Sequence, residues 1–233
     1  MLNGSSITFY PLGEAAIVIQ FGETIDEQTN RLVVSFSRHI ETCSIPGMIE
    51  QVPSLNSITL FYDVMQQNYT EIEQSLRNML RTFEVAHTDA GRIVEIPVCY
   101  GGDFGPDLSH VADYHNLSEE EVIRIHAEPI YLVYMIGFAP GFPFLGGLSE
   151  KIATPRRESP RVQIPVGSVG IAGAQTGIYS ISTPGGWQLI GRTPTELFQP
   201  AKDPPSLLQA GDRVKFIPIA RETYLVLKGN DAG

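Results

Sequence analysis

One glycine-rich stretch holds most of the residues that could perform chemistry. Residues 137–192 contain 11 of the 22 glycines, and their five Lys and Arg side chains outnumber two Glu, a local net charge of +3. Glycine loses the most conformational freedom on folding, so this density indicates backbone that turns sharply or approaches another group closely. Arginine forks and bare backbone N–H groups both suit carboxylates and phosphates. The stretch predicts an anion site, although strand turns beside solvated arginines would have the same composition.

An aromatic loop begins the same stretch. Phe138, Phe142 and Phe144 are interspersed with prolines, which makes a stiff apolar loop. Core packing would account for one or two of these rings, but three rings on one loop favour a pocket lining or a partner interface. Trp187 is the only tryptophan, and it suits core packing or an interface anchor better than catalysis.

The first part of the chain has the pattern of a separate domain. Apolar runs at residues 15–21, 48–52, 58–62 and 93–98 predict strands, and the periodicity after Asp26 predicts a helix with Leu32, Phe36 and Ile40 on one face. Thr70 and Glu73 have the spacing of a capping box for a second helix. The resulting β-α-β-β-α-β order is typical of a ferredoxin-like unit. We therefore place one domain at residues 1–91.

The remaining residues, 92–233, have a different texture. Asp107 can cap a short helix, and Ser118 with Glu121 predicts a capping box for the next one. Beyond Gly137 short apolar runs alternate with glycine and proline, a pattern typical of a β-barrel or sandwich, and residues 224–227 are predicted as its last strand. The chain is thus expected to be an α+β protein with two domains.

Composition excludes several function classes. The net charge of -10 and the lack of a basic stripe exclude nucleic-acid binding. No apolar run approaches the roughly 20 residues that span a bilayer, and the first ten residues do not have the pattern of a secretory signal. Cys43 and Cys99 form neither a disulfide framework nor a metal pattern. We expect a cytoplasmic protein without a metal site or a membrane partner.

Four motifs carry a resemblance to a known family. They are YGGDFGPD at residues 100–107, GFAPGFPFLGGL at 137–148, PVGSVGIAGAQTGIY at 165–179 and STPGGWQLIGRTP at 182–194. Together they resemble the family of 5-oxoprolinase B subunits and kinase A inhibitors, also described as allophanate hydrolase subunit 1-like. The resemblance covers essentially the whole chain. It implies a ferredoxin-like N-terminal domain followed by a cyclophilin-like β-barrel domain.

The resemblance also implies a function and partners. Family members associate with a homologous C subunit and with an A subunit, and together these open 5-oxo-L-proline to L-glutamate with ATP as co-substrate; no tightly bound cofactor is expected. A related pair of domains in urea carboxylase handles carboxyl transfer. A relative inhibits a sporulation sensor histidine kinase, so a regulatory binding protein is the alternative. A peptidyl-prolyl isomerase ranks last, because a shared fold does not carry activity.

The implied reaction assigns roles to particular side chains. Phosphorylating the lactam oxygen requires positive groups around the developing charge and a clamp on the substrate carboxylate. Arg156 and Arg157 are candidates for the catalytic groups, and His126 for an acid or base, although a structural histidine at a helix end fits its position as well. The candidates for substrate binding are Arg161, Gly173, Gln175, Thr176 and Arg192. The candidates for the partner interface are Phe138, Phe142, Phe144 and Trp187.

Several catalytic motifs are missing from the sequence. No lysine follows a glycine, so there is no P-loop of the Walker type, and there is no H-E-x-x-H, C-x-x-C or G-x-S-x-G. The chain therefore has no complete nucleotide site or nucleophile of a known motif class. We expect a composite active site that is shared with a partner.

Overall fold

The protein is described by a computed structural model at residues 7–84 and 91–230. The chain divides into two compact units, one on each side of the boundary between residues 90 and 91. None of the helices within the described residues is both long enough and apolar enough to cross a membrane.

The first unit is an antiparallel sheet with two helices. Its strands lie in the order β1-β2-β4-β3 and every neighbouring pair is antiparallel. The elements are β1 (Thr8–Pro11), β2 (Ala16–Gln20), α1 (Glu27–Thr42), β3 (Met48–Pro53), β4 (Ser57–Tyr62) and α2 (Tyr69–Thr82). Phe36 and Ile40 on α1 are fully buried, as are Ile72 and Leu76 on α2, so both helices cover the core with one face.

The two helix starts differ in how well the sequence predicts them. Asp26 caps α1, accepting a hydrogen bond from the Thr29 N–H at 2.8 Å. The capping box of α2 is formed by Asn68 and Glu71, so the prediction of Thr70 and Glu73 was wrong. A cap residue needs an extended backbone, which Asn68 has at φ -96° and ψ 170°, whereas Thr70 lies inside the helix.

The last strand predicted for the first unit belongs to the second one. β5 (Ile93–Tyr100) pairs with two barrel strands, and the edge next to β2 is occupied by β1. The first sheet therefore draws its four strands from residues before the boundary. The β-α-β-β-α-β order is present along the chain, but it does not close within one sheet.

The second unit is built around a closed barrel. Seven strands follow one another as β10-β7-β6-β13-β5-β12-β9, and β8 pairs with β11 in a separate two-stranded ribbon. The strands are β6 (Ile130–Ile136), β7 (Pro143–Gly146), β8 (Arg161–Ile164), β9 (Ser168–Ala172), β10 (Gln175–Ile178), β11 (Thr183–Gly185), β12 (Gln188–Arg192) and β13 (Arg213–Pro218). The coarse prediction of an α+β chain that ends in a β-barrel is confirmed.

Helices flank this barrel. α3 (Leu108–His115) and α4 (Glu119–Ala127) pack against each other and against barrel strands, and Ser118 with Glu121 forms the predicted capping box. Residues 224–227, predicted as a strand, lie in α5 (Arg221–Asn230), where the Tyr224 ring packs 4.5 Å from that of Phe104. A short apolar run does not separate strand from helix by periodicity, which explains this error.

Candidate functional site

An open cleft lies beside the barrel where α3 faces the chain segment before β8. Its volume is about 520 Å³. The lining residues are His110, Tyr114, Pro155, Arg156, Arg157, Glu158, Ser159 and Gln188. The structure thus brings together two residues predicted to be catalytic, Arg156 and Arg157, in a cavity large enough for a small organic acid and a phosphoryl group.

A buried aspartate fixes one wall of this cleft. Arg157 and Arg161 both donate to Oδ1 of Asp107, at 3.1 and 2.7 Å, and Oδ2 accepts the Leu189 N–H at 2.7 Å. Asp107 was predicted to cap α3, but its side chain makes no cap hydrogen bond, because these three donors occupy the carboxylate. Since two guanidinium groups share one carboxylate, the cluster keeps a net positive charge.

Several polar atoms in the cluster are buried without a partner. These are Nε of Arg157, Nη1 of Arg161 and Oε1 of Gln188, and none has a hydrogen-bond partner in the part of the chain that the structure describes. Gln188 does donate to the Pro155 carbonyl at 2.9 Å through its Nε2. A buried polar atom left unpaired costs about 1–3 kcal/mol, so such a group marks a place that a polar ligand would stabilise.

Arg156 differs from its two neighbours. Within residues 7–84 and 91–230 its side chain makes no hydrogen bond or ion pair, and it is exposed. It lines the cleft and also a second, smaller cavity, so one free cation stands between the two.

The smaller cavity, here called the aromatic pocket, has a volume of about 140 Å³. Its lining comprises Phe138, Phe142, Phe144, Tyr179 and Trp187 together with Arg156, Pro184, Gly185 and Gly186. Phe142 and Trp187 are buried, Phe144 is half-buried and Phe138 is 63% exposed. The four residues predicted for a partner interface therefore surround one pocket, and a role in partner binding stays a prediction.

His126 lies elsewhere, inside the barrel. It is fully buried, its Nδ1 is 2.8 Å from the Tyr100 hydroxyl, and its Nε2 is 2.9 Å from Oγ1 of Thr176. The Thr176 hydroxyl donates to the Gly170 carbonyl, so it accepts from Nε2–H, and Nδ1 accepts from Tyr100. Burial lowers the pKa of His126 to about 3 and raises that of Tyr100. A neutral, enclosed imidazole with both nitrogens bonded fits the structural alternative for His126.

The remaining predicted substrate-binding residues lie apart from the cleft lining. Thr176 belongs to the network of His126, and Gly173 sits in the tight turn between β9 and β10 at φ +58°. Gln175 follows that turn, and its buried Nε2 has no partner among the described residues. Arg192 ends β12 opposite Cys99, at the other end of the strand from Gln188. Of the five residues predicted to bind substrate, Arg161 therefore lies beside the cleft through its bond to Asp107, whereas the other four lie elsewhere.

Sequence reasoning missed three residues of the site: Asp107, Tyr179 and Gln188. Asp107 lies inside the YGGDFGPD motif, and Tyr179 and Gln188 lie inside the two later motifs, so the motifs contained the signal. Within the described residues no three His, Cys, Asp or Glu side chains converge as metal ligands do. The arrangement can bind an anion by arginine and a small ring by aromatic contact.

Known proteins resemble this chain along most of its length. The carboxyltransferase domain, subdomain C and D, matches residues 7–208. The B subunit of 5-oxoprolinase from Bacillus subtilis (strain 168) is 52% identical over 93% of this chain and 95% of that protein. The B subunit of 5-oxoprolinase from Haemophilus influenzae is 47% identical over 89% of this chain and 95% of that protein.

A solved structure gives the same result for the fold. The crystal structure of TTHA0988 superposes with a TM-score of 0.78 at 34% identity, covering 89% of this chain but only 40% of that one. In that protein the shared fold is joined to further sequence. Because the similarity to the curated relatives runs almost end to end and includes the segments that build the cleft and the aromatic pocket, this chain belongs to the family of 5-oxoprolinase B subunits, within the carboxyltransferase C and D domains.

Proposed function

We propose that this chain is the B subunit of an ATP-dependent 5-oxoprolinase, which opens 5-oxo-L-proline to L-glutamate together with the A and C subunits. The observation that carries the proposal is the 52% identity to a curated B subunit over 95% of that protein. The cationic cleft agrees with it, since both the substrate and the transferred phosphoryl group are anions.

The reaction needs activation, because the amide of a lactam is resonance-stabilised and has a poor leaving group. Transfer of the γ-phosphoryl group of ATP to the lactam oxygen releases ADP and gives a phosphorylated imidate. Water then adds to that carbon, and the C–N bond breaks with protonation of nitrogen, which leaves the carbon as an acyl phosphate. A second water attacks this acyl phosphate and phosphate leaves, so that glutamate remains. Negative charge develops on oxygen in each step, and fixed positive groups lower its energy.

Residues of this chain suit the electrostatic part of that chemistry. Arg157 is held in place by Asp107, so its charge is positioned before substrate arrives, while Arg156 is free to reach a ligand. His126 is enclosed and neutral, which favours an acid or base supplied by a partner. ATP is then a co-substrate of the assembled enzyme, and its site includes groups of the other subunits.

The need for partners has independent support. This chain covers only 40% of TTHA0988, so a protein with the same fold carries additional sequence in one polypeptide. We infer that the corresponding part is supplied to this chain as a separate polypeptide, the C subunit. For the fold, we propose that the first unit is a ferredoxin-like variant with β1 at the edge, and that the barrel is cyclophilin-like.

Reconstitution tests the proposal. The chain is purified with the A and C subunits of the same organism, and glutamate and ADP are measured after adding 5-oxo-L-proline and ATP. We expect equal amounts of both products, and none when any one of the three proteins is omitted. An inert mixture contradicts the proposal. If this chain alone then blocks autophosphorylation of a sensor histidine kinase, the regulatory function replaces the enzymatic one.

A double variant tests the cleft within that enzyme. Replacing Arg156 and Arg157 together by alanine removes the free cation and one arm of the Asp107 cluster. We expect turnover to fall about a hundredfold or more, because each lost charged hydrogen bond is worth about 1.5–3 kcal/mol. If the assembled variant keeps full turnover, the cleft has no role in the reaction.

A further inference from the structure

The aromatic pocket is built by close ring packing. The ring centroid of Phe142 lies 5.2 Å from that of Tyr179, with an interplanar angle of 79°. It lies 5.5 Å from that of Trp187, with an angle of 88°, so both pairs pack edge to face. Two glycines leave room for them: a Cβ on Gly185 would lie 2.4 Å from the Tyr179 hydroxyl, and one on Gly177 would lie 3.0 Å from the Phe142 ring. The glycines here allow the rings to form a rigid wall, which explains part of the glycine density.

The lining of the aromatic pocket also includes polar groups. Burial raises the pKa of Tyr179, while the positive charges of Arg156 and Arg161 act against that shift. Arg156 also lines the pocket, is exposed, and makes no ion pair within the described residues. The backbone of Gly185 and Gly186 forms another part of the lining. A small ring that carries a carboxylate matches this combination of apolar walls and a single cation.

The mouth of the pocket is strained. Phe138 has φ +67°, and the Ala139 N–H donates to the Gly137 carbonyl at 2.7 Å, which closes a three-residue turn around it. This turn, with a left-handed central residue, is rare and costs about 1–3 kcal/mol. The strain holds an exposed phenyl ring 5.4 Å from Phe142 and 6.4 Å from Tyr179, over the entrance. Such a cost is maintained at sites where a ligand is held.

We propose that the aromatic pocket holds the five-membered ring of the lactam substrate and that Arg156 binds the substrate carboxylate. This assignment rests on the proposed 5-oxoprolinase function and specifies where that function locates its substrate. The pocket volume of about 140 Å³ is far below the 300–1,000 Å³ of cavities for larger ligands, so ATP does not occupy it. The open cleft of about 520 Å³, which Arg156 also lines, then binds the phosphoryl group.

The test is a steady-state analysis of the reconstituted complex. In Arg156→Ala, the KM for 5-oxo-L-proline should rise about tenfold or more, because the carboxylate loses its charged partner, while the KM for ATP stays unchanged. Arg156→Lys should recover part of the loss, since lysine keeps the charge but not the fork. Phe144→Ala, which opens the wall of the pocket, should raise the same KM.

Controls separate this assignment from the function it rests on. Arg124→Ala removes another exposed arginine, on α4, ion-paired with Glu128 at 3.6 Å, and should leave both KM values unchanged. Trp187, the only tryptophan of the chain, reports by its emission that each purified variant keeps the pocket. An active wild-type complex in which Arg156→Ala and Phe144→Ala leave the KM for 5-oxo-L-proline within twofold overturns the assignment. An inert wild-type complex instead overturns the proposed function.

Discussion

Two polar clusters in the second unit differ in how many of their buried polar atoms have hydrogen-bond partners. Around His126, inside the barrel, Tyr100 and Thr176 bond both ring nitrogens, and the Thr176 hydroxyl continues to the Gly170 carbonyl. Around Asp107, beside the cleft, two arginines converge on one oxygen while Nε of Arg157 and Nη1 of Arg161 stay unpaired among the described residues. A closed network stabilises one conformation, whereas an incomplete one retains capacity for a ligand. The two clusters are therefore distinguished by whether their buried polar atoms have hydrogen-bond partners, more than by the types of residue that they contain.

The largest expected effect is the loss of stability on emptying the first cluster. His126→Ala removes a fully buried ring and leaves the Tyr100 hydroxyl without its partner, while the Thr176 hydroxyl keeps its bond to the Gly170 carbonyl. The free energy of unfolding should fall by about 4 kcal/mol, measured by urea denaturation. If His126→Ala still folds, its KM for 5-oxo-L-proline should be unchanged. A selective loss of turnover without a loss of stability would instead make His126 a catalytic group.

The second cluster should respond through both stability and substrate binding. Asp107→Asn removes the charge that holds Arg157 and Arg161, so we expect a loss of about 3 kcal/mol in stability and a rise in the KM for ATP, whose phosphoryl group the cleft binds. Asp212→Asn is the matched control, because Asp212 is equally buried and pairs with Arg92 at 3.0 Å. It should lose stability alone. Equal KM values in the two variants would contradict the distinction.

A third test uses pH. The folded pKa of His126, about 3, lies below its ordinary value of 6.5, so the unfolded chain binds the proton more readily between these two values. The stability contributed by neutral His126 is thus complete above pH 6.5 and is lost as pH falls toward 3. From pH 7 to pH 5 it should decrease by about 2 kcal/mol. His126→Gln should lack this component, seen as the difference between two urea series; identical pH slopes would contradict it.

The smallest effect is expected outside both clusters. Ser118→Ala removes the cap of α4 but leaves cleft, pocket and barrel interior intact. Stability should fall by about 1 kcal/mol in thermal or urea unfolding, with turnover and both KM values unchanged. A change in KM for this variant would mean that helix stability, and not the local satisfaction of polar groups, governs substrate binding.

Local features were predictable from the sequence because their signals are local. Asp26 and Ser118 cap the helices that they were predicted to begin, and the glycine-rich texture after Gly137 indicated the barrel. The local excess of positive charge drew attention to Arg156 and Arg157, and both line one cleft, while their catalytic role stays a prediction. These are properties of a few neighbouring residues.

Other features depend on partners that are distant along the chain. Asp107 meets Arg157 and Leu189, which lie 50 and 82 residues further on, so its proximity to α3 suggested only a cap. β5 follows the first unit directly but pairs with strands from the end of the barrel. His126 resembles a titrating group until burial is known. Distance in sequence, and not residue type, limited the prediction.

The pairing of β5 with β13 has a consequence for how the molecule is made. Ile93 lies opposite Arg213 in a parallel ladder, so this seam cannot form until the ribosome has delivered nearly all of the second unit. Such long-range closure is slow, and until then β5 and β6 present unpaired edges that invite aggregation. A chain terminated before residue 213 should therefore accumulate in inclusion bodies.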